Sequence, residues 1–255
     1  MIETQNISFQ IGIVVPCYNE ENRISLLEFE KHIIKNKNHF FCFVNDGSTD
    51  KTLKILQAFF SKYPFQIAVL DNKINLGKAE TVRSGINYLL SQKKHDILGF
   101  LDADLATPLD EIDRISKIFI NNQKLIVFGS RIKHVGGNVE RKFIRYVLGR
   151  IFATVVSNWL LKTAVYDTQC GFKFFRINII KSLFKEEFKS KWFFDIELFC
   201  RTKIKHPNVD INEIAQEFFV NTWKDQKGSK IKLLDYFNAP LELIKLKYHY
   251  KNIKK

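Results

Sequence analysis

The chain is 255 residues long, 45% hydrophobic and 26% charged, with 24 phenylalanines; this is an ordinary globular composition, sized for one large or two small α/β domains, and it excludes a fibrous or disordered chain. A formal charge of +13, from 40 basic against 27 acidic residues, admits an anionic partner: nucleic acid, an anionic membrane or a phosphorylated substrate. Cys17, Cys42, Cys170 and Cys200 fit neither a zinc site nor a disulfide framework. The start MIETQNISFQ lacks a signal-peptide pattern, and no stretch reaches the roughly 20 apolar residues that span a bilayer. The expectation is a cytoplasmic protein with reduced thiols that touches a membrane without crossing it.

Ile11–Val15 is a β-branched run closed by Pro16 and reads as a first strand. A loop over Pro16–Asn22 leads into a helix over Ile24–Lys35. Phe40–Val44 is a second strand, closed by Asn45-Asp46-Gly47-Ser48-Thr49-Asp50. There, Ser48 or Thr49 can cap a helix over Lys51–Phe60. Gln66–Leu70 is a third strand, and the turn Asn75-Leu76-Gly77-Lys78 opens a helix over Lys78–Leu90. Ile97–Leu101 is a short apolar run, a buried parallel strand that ends on Asp102-Ala103-Asp104. Thr107-Pro108 opens a helix over Leu109–Ile120, and Leu125–Gly129 is a fifth strand. Strands alternating with helices of this length make a parallel sheet. Right-handed crossovers then bring the strand-end loops to one rim, where open α/β sheets bind ligands.

That rim carries Glu20 and Asp46 as acceptors for a base or ribose, Lys78 and Arg83 for phosphate charge, and the pair Asp102 and Asp104. In extended chain, positions i and i+2 face one side, so the two carboxylates repel unless a cation lies between them. A divalent metal carrying a diphosphate suits them, since hard cations take oxygen ligands. The plainer alternative makes Asp104 a helix cap and Asp102 a solvated loop residue. The rim reads as a nucleotide-diphosphate site, although neither a P-loop nor a G-x-G-x-x-G string occurs.

Four strings in order, Pro16-Cys17-Tyr18-Asn19-Glu20, Asn45 to Asp50, Asn75-Leu76-Gly77-Lys78 and Asp102-Ala103-Asp104, resemble inverting glycosyltransferases of family 2. The resemblance implies the GT-A fold: α/β, with a mostly parallel, Rossmann-like sheet flanked by helices. It implies nucleotide-sugar contacts from Pro16, Tyr18, Glu20, Asp46, Gly77, Lys78, Arg83, Asp102 and Ala103, with Mg²⁺ or Mn²⁺ on Asp102 and Asp104. Asn45 departs from the pattern, where many members have an Asp, which leaves Asp46 as the base-contacting residue. Further strings occur downstream: Phe128-Gly129-Ser130-Arg131, Tyr166 to Lys173 (YDTQCGFK), Trp192 to Leu198 (WFFDIEL) and Gly228-Ser229-Lys230. This set is similar to dolichyl-phosphate β-glucosyltransferases and bacterial polyprenyl-phosphate relatives, over roughly Ile11–Lys232. Ala106 stands where the mannosyltransferase branch can have a polar metal ligand, which points to the glucosyltransferase side.

The resemblance implies one catalytic domain over 1–232, with a nucleotide-sugar half (1–130) and an acceptor half (131–232), then a basic C-terminal helix or tail over 233–255. UDP-glucose is the implied donor and a polyprenyl phosphate the implied acceptor. A phosphate monoester with a second pKa near 6 is already a dianionic nucleophile at neutral pH. Arg131 is the first choice to grip it, since a guanidinium matches phosphate as a fork; Arg145, Ser229 and Lys230 are second choices. Asp195 sits where related sugar-acceptor enzymes place a base, and Asp167 supports the site from behind. Alternatives are a soluble or wall-polymer hydroxyl acceptor, with Asp195 a true base, a mannosyl donor, or a non-catalytic nucleotide-sugar-binding protein. No helix-turn-helix, RRM or finger string points to nucleic acid.

In Arg141–Leu161, Phe143, Val147, Ile151, Val155 and Trp159 recur every four residues, beside a second row from Ile144 to Leu160. Together they form a broad apolar stripe on a helix, with Arg141, Lys142, Arg145 and Arg150 at its start and flanks. This is the pattern of an interfacial membrane binder; packing on the sheet or on a second subunit is the alternative. Leu234, Phe237, Leu241, Ile244 and Tyr248 have helical spacing within the lysine-rich end, which can lie on anionic lipid or remain solvated.

Overall fold

The computed structural model describes residues 9–226 and 233–251, for 233–238 the backbone only. Five strands form where the apolar runs predict them: β1 (Ile11–Cys17), β2 (His39–Asp46), β3 (Ile67–Asn72), β4 (Ile97–Leu101) and β5 (Ile126–Ser130). Between them lie α1 (Leu26–Lys35), α2 (Thr52–Lys62), α3 (Lys78–Gln92) and α4 (Glu111–Asn121). Next come β6 (Asn138–Glu140), α5 (Phe143–Val155) with a π-helical turn over Val156–Leu161, β7 (Phe172–Arg176), α6 (Ile177–Leu183) and α7 (Phe194–Lys205). The chain continues through α8 (Ile211–Ile214), β8 (Ala215–Phe219), β9 (Thr222–Lys224) and α9 (Leu233–His249).

Seven strands make one sheet in the order β3-β2-β1-β4-β7-β5-β8, and β6 pairs with β9 beside it. β1, β2, β3 and β4 are parallel to their neighbours, as are β5 and β8. β7 runs antiparallel between β4 and β5, with Leu101 opposite Phe172 and Phe128 opposite Lys173. Its direction decides the layout of the rim. Each parallel strand presents the loop at its carboxyl end on this edge. β7 presents the loop at its amino end, the string Tyr166–Gly171. Both sets of motifs therefore meet at one edge. β7 is buried from Phe172 to Phe175, and the bulk of Phe172, Phe174 and Phe175 suits a strand covered on both faces.

The core has two layers. One face of the sheet is covered by α3, α6, α7 and α9, through Val82, Ile86, Ile180, Phe194, Leu243 and Leu246. The other is covered by α1, α2 and α4, through Phe29, Ile33, Leu56, Ile112, Ile115 and Phe119. α9 thus packs on the same core as the residues before 233. All four cysteines are free and buried. Among the described residues, no helix is long and apolar enough to cross a membrane.

Candidate active site

The loops after β1 and β2 are stitched together by backbone donors. The Asn19 N–H donates to Ser48 Oγ (3.0 Å), that of Thr49 to Asn19 Oδ1 (2.9 Å), and that of Glu20 to Thr52 Oγ1 (2.8 Å). Neither Ser48 nor Thr49 caps α2. Asp50 does so, accepting from the Thr52 N–H at 2.9 Å and also from the Glu21 N–H at 3.1 Å. A carboxylate just before the helix reaches these donors, while Ser48 is spent across the loop. Asp46 is buried, and its two oxygens accept from the Leu76 N–H (2.8 Å) and the Gly77 N–H (3.0 Å). Its carboxylate thereby sets the loop that delivers Lys78. Gly47, at φ +64°, makes this fit possible, because a Cβ there would lie 2.5 Å from the Ile74 carbonyl carbon. The Asn45 amide donates to Asp71 at 2.8 Å.

Asp102 and Asp104 do not continue the strand. β4 ends at Leu101, and the chain turns, with the Leu105 N–H on the Asp102 carbonyl at 3.2 Å and Leu105 at φ +50°. The i/i+2 rule of extended chain therefore does not apply, and the turn brings the carboxylates together instead. Burial pushes the Asp104 carboxyl above its ordinary range, and the Asp102 charge adds to this. Asp104 Oδ1 accepts from the Ala106 N–H (3.2 Å), as a capping residue would, while Oδ2 holds Arg23 at 2.7 Å. Asp102 is paired with Lys78. Burial works against the Lys78 charge, but Asp102, Asp195 and Asp104 together raise its pKa. Ala103 is buried beneath the turn. Gly171, just before β7, packs on Asp102, and a Cβ there would come 2.3 Å from Oδ2, so a larger residue would displace that carboxylate.

Among the described residues, no third His, Cys, Asp or Glu joins this pair into a metal cluster. Two carboxylates in mutual repulsion, with the remaining ligands left to phosphate oxygens, suit Mg²⁺ or Mn²⁺. Pro16 and Tyr18 lie at the end of β1, partly buried above the same edge. Glu20 is buried and accepts from Arg23 at 3.2 Å. Arg83 is paired with Glu80 at 2.5 Å, and Glu187 is 3.7 Å away.

The acceptor side is built differently. Lys173, buried in β7, donates to the carbonyls of Thr168 (3.0 Å) and Cys170 (2.6 Å) and to Asp195 Oδ1 (2.7 Å). Asp195 is itself buried in the first turn of α7. Arg131, just beyond β5, has its fork on Asp167, with Nε at 2.6 Å from Oδ2 and Nη2 at 2.8 Å from Oδ1. Burial works to raise the Asp167 pKa, but Arg131 outweighs it and holds the carboxyl at about 2. Arg145 is likewise paired, with Asp225 at 2.5 Å. Ser229 and Lys230 lie outside the described residues.

Several contributors carry no local sequence signature. Glu217, on β8, accepts from the N–H groups of Tyr166 (2.8 Å) and Asp167 (2.7 Å) and so fixes the loop before β7. Arg141, next to Arg131 and Asp167, makes no hydrogen bond or ion pair among the described residues. Burial lowers its pKa, and the neighbouring Arg131 lowers it further. It lines a small cavity with Tyr146, Arg150, Thr168 and Gln169. Thr168 Oγ1 is buried and has no partner there. A desolvated cation and an unused hydroxyl lining one cavity suit an anion. Arg141 heads the basic start of α5, but nothing in the sequence distinguishes it from Lys142 or Arg145.

Residues 12–184 match the family model described as Glycosyl transferase family 2. A dolichyl-phosphate beta-glucosyltransferase of Dictyostelium discoideum is 31% identical over 262 residues, 96% of this chain and 75% of the relative. One from Trichomonas vaginalis is 30% identical, over 94% of this chain and 74% of its own length. Among solved structures, glucosyl-3-phosphoglycerate synthase from Mycobacterium tuberculosis, in complex with Mn²⁺ and UDP-glucose, superposes with a TM-score of 0.68. It is 16% identical and is covered to 80% by 97% of this chain, a likeness of fold.

Proposed function

Because the chain belongs to glycosyltransferase family 2, we propose that its rim binds UDP-glucose and transfers glucose to a polyprenyl phosphate with inversion, giving a β-linked lipid-phosphate sugar. The observation that carries this reading is the division of charge along one edge. Asp102 and Asp104 crowd one turn with only exchangeable partners in Lys78 and Arg23, and Arg141 lines a cavity with the unpartnered Thr168 hydroxyl beside the Arg131–Asp167 pair.

Asp102 and Asp104 would hold Mg²⁺ or Mn²⁺. Bound there, the ion neutralises charge developing on the departing nucleotide. Lys78 adds positive charge for the diphosphate from the start of α3, and Asp46 and Gly77 shape the loop that places it. Pro16, Tyr18, Glu20 and Ala103 form the walls of the nucleotide side. Arg141, the Thr168 hydroxyl and the free edge of Arg131 receive the acceptor phosphate. A dianionic phosphate needs no strong general base. Asp195, with one oxygen on Lys173, orients ligands at the reacting centre instead of removing a proton. A lipid acceptor places the enzyme at a membrane surface.

Labelled glucose offered as UDP-glucose to a short-chain polyprenyl phosphate, with and without Mn²⁺, tests the reading. The expected result is metal-dependent formation of an organic-soluble, acid-labile product that persists at a reduced rate in Asp195→Asn. Donor hydrolysis without lipid product, with Asp195→Asn inactive, would instead mark a hydroxyl acceptor and Asp195 as its base.

A further inference from the structure

The first turns of α7 are buried on every side. Each residue from Phe194 to Cys200 is covered, so the carboxylates of Asp195 and Glu197 both need internal donors. Two positions along a helix make about 200° of rotation, so the two side chains leave it in opposite directions. Asp195 meets Lys173 of β7. Glu197 points to the segment between α6 and α7 and to the end of α9, and five donors converge on it. Its Oε2 accepts from the N–H groups of Lys189 (2.9 Å) and Ser190 (3.2 Å). Its Oε1 accepts from Arg201 Nη2 (2.8 Å) and Nε (3.2 Å) and from the Tyr250 hydroxyl (2.7 Å).

Arg201 extends this pattern along the segment. It donates to the carbonyls of Leu183 (2.6 Å), Glu186 (2.8 Å) and Glu187 (2.6 Å), and its guanidinium lies 4.3 Å from the Phe188 ring centroid. A second strap runs beside the first: Ser190 Oγ accepts from the Phe193 N–H (2.9 Å) and donates to Glu242 of α9 (3.0 Å). Phe194, next to Asp195, packs between Phe188 of this segment and Phe100 of β4, at ring-centroid distances of 5.4 and 5.5 Å. Any shift of the segment or of α9 is therefore transmitted to the turn that carries Asp195. Apolar residues would stabilise a buried helix at least as well as an ion pair does. What a carboxylate with five fixed donors supplies is a single orientation.

We propose that Glu197 is a positioning residue for the transfer reaction. By tying residues 187–190 and Tyr250, at the end of α9, to the first turn of α7, it holds Asp195 at the angle that turnover requires. The last helix is then part of the support of the acceptor side. The effect on turnover rests on the function proposed above; the link from Tyr250 through Glu197 to the Asp195 turn does not.

Two variants of the full chain test this. Tyr250→Phe removes one donor and keeps the ring, and Glu197→Gln sets an amide NH₂ against groups that are all donors. Amide hydrogen exchange reads the link: in Tyr250→Phe, exchange over 187–198 should rise about tenfold, the scale of one hydrogen bond to a charged group, with β1 and β2 unchanged. Turnover of UDP-glucose with a short-chain polyprenyl phosphate reads the consequence. The kcat should fall about tenfold in Tyr250→Phe and further in Glu197→Gln, with the UDP-glucose KM unchanged. In an Asp195→Asn background each loss should shrink to within about twofold, because the carboxylate that Glu197 positions is gone. Should Glu197→Gln fail to fold, Tyr250→Phe carries both measurements. Losses that multiply in the Asp195→Asn background would mark ordinary packing and overturn the proposal. So would exchange that stays unchanged over 187–198 or rises equally throughout the chain. If the parent glucosylates no lipid phosphate, the acceptor reading falls, and the exchange experiment still decides the link: a local rise sustains it, and no rise overturns it.

Discussion

The two sides of the rim are charged on opposite plans. On the nucleotide side, Lys78–Asp102 and Arg23–Asp104 keep between a fifth and two-fifths of their side-chain surface in water. Such pairs are weak and exchangeable, and an incoming cation or diphosphate can take either partner. On the acceptor side, Lys173–Asp195 and Arg131–Asp167 are almost wholly buried, and each has backbone hydrogen bonds besides. Removing one member of a buried pair strands its partner's charge. The first set is machinery that ligands rearrange, and the second holds Asp195 and Arg131 in fixed positions.

The sharpest way to break this contrast is Asp104→Asn. It should leave the fold intact and lower glucose transfer by about a thousandfold, the scale of several kcal/mol of leaving-group stabilisation. Lys173→Met should act on stability as well, costing about 3 to 5 kcal/mol in urea unfolding because Asp195 is left buried without its cation. Adding Asp195→Asn should recover part of that loss. Next in size is Arg141→Ala, which should raise the KM for a lipid phosphate by roughly tenfold to a hundredfold, the worth of a charged hydrogen bond, with the UDP-glucose KM unchanged. That split separates an acceptor contact from a structural one.

Acid should separate the sides as well. His32 and His39, near the end of α1 and at the start of β2, on the sheet edge opposite the nucleotide loops, share a buried 2.8 Å hydrogen bond. Burial, and then the neighbouring His32, lower the His39 pKa from 6.5 to about 3. The unfolded chain therefore binds protons first, and stability falls as pH drops below about 6.5, by about 2 kcal/mol at pH 5. Asp167, held at about 2, keeps its stabilising pair until much stronger acid. Melting temperature against pH should thus decline from pH 7 to pH 5, and replacing both histidines by phenylalanine should flatten that decline. The smallest effect belongs to Arg83→Ala. A helix-surface pair with Glu80 contributes no more than about 1 kcal/mol, and the donor KM should stay within about twofold.

The nucleotide side is legible in the sequence because parallel strands make sequence order and rim position the same thing. Each apolar run ends where its loop joins the rim, so Asp46, Lys78 and Asp102 can be placed from their neighbours alone. The acceptor side is not legible in that way. The antiparallel course of β7 depends on packing between β4 and β5, which no local pattern records, and a lysine facing the core at position 173 contradicts burial rules until its three acceptors are known. Arg131 illustrates the same limit. Its type and place favour a phosphate contact, but its fork is taken by a carboxylate 36 residues later. In α5, periodicity identifies the apolar stripe but cannot divide its outward residues from Val156 and Leu160, which are buried.

The place of β7 also bears on how the molecule assembles. β4 pairs on one side with β1, some 80 residues before it, and on the other with a strand made some 70 residues later. During synthesis, its open edge has to wait for that distant partner, with apolar strands exposed to neighbouring chains. A fragment ending after Ser130 would contain every nucleotide-side motif and still leave one edge of β4 raw and β5 without either of its partners, which should drive it to aggregate. The donor half is therefore a unit of chemistry without being a unit of folding.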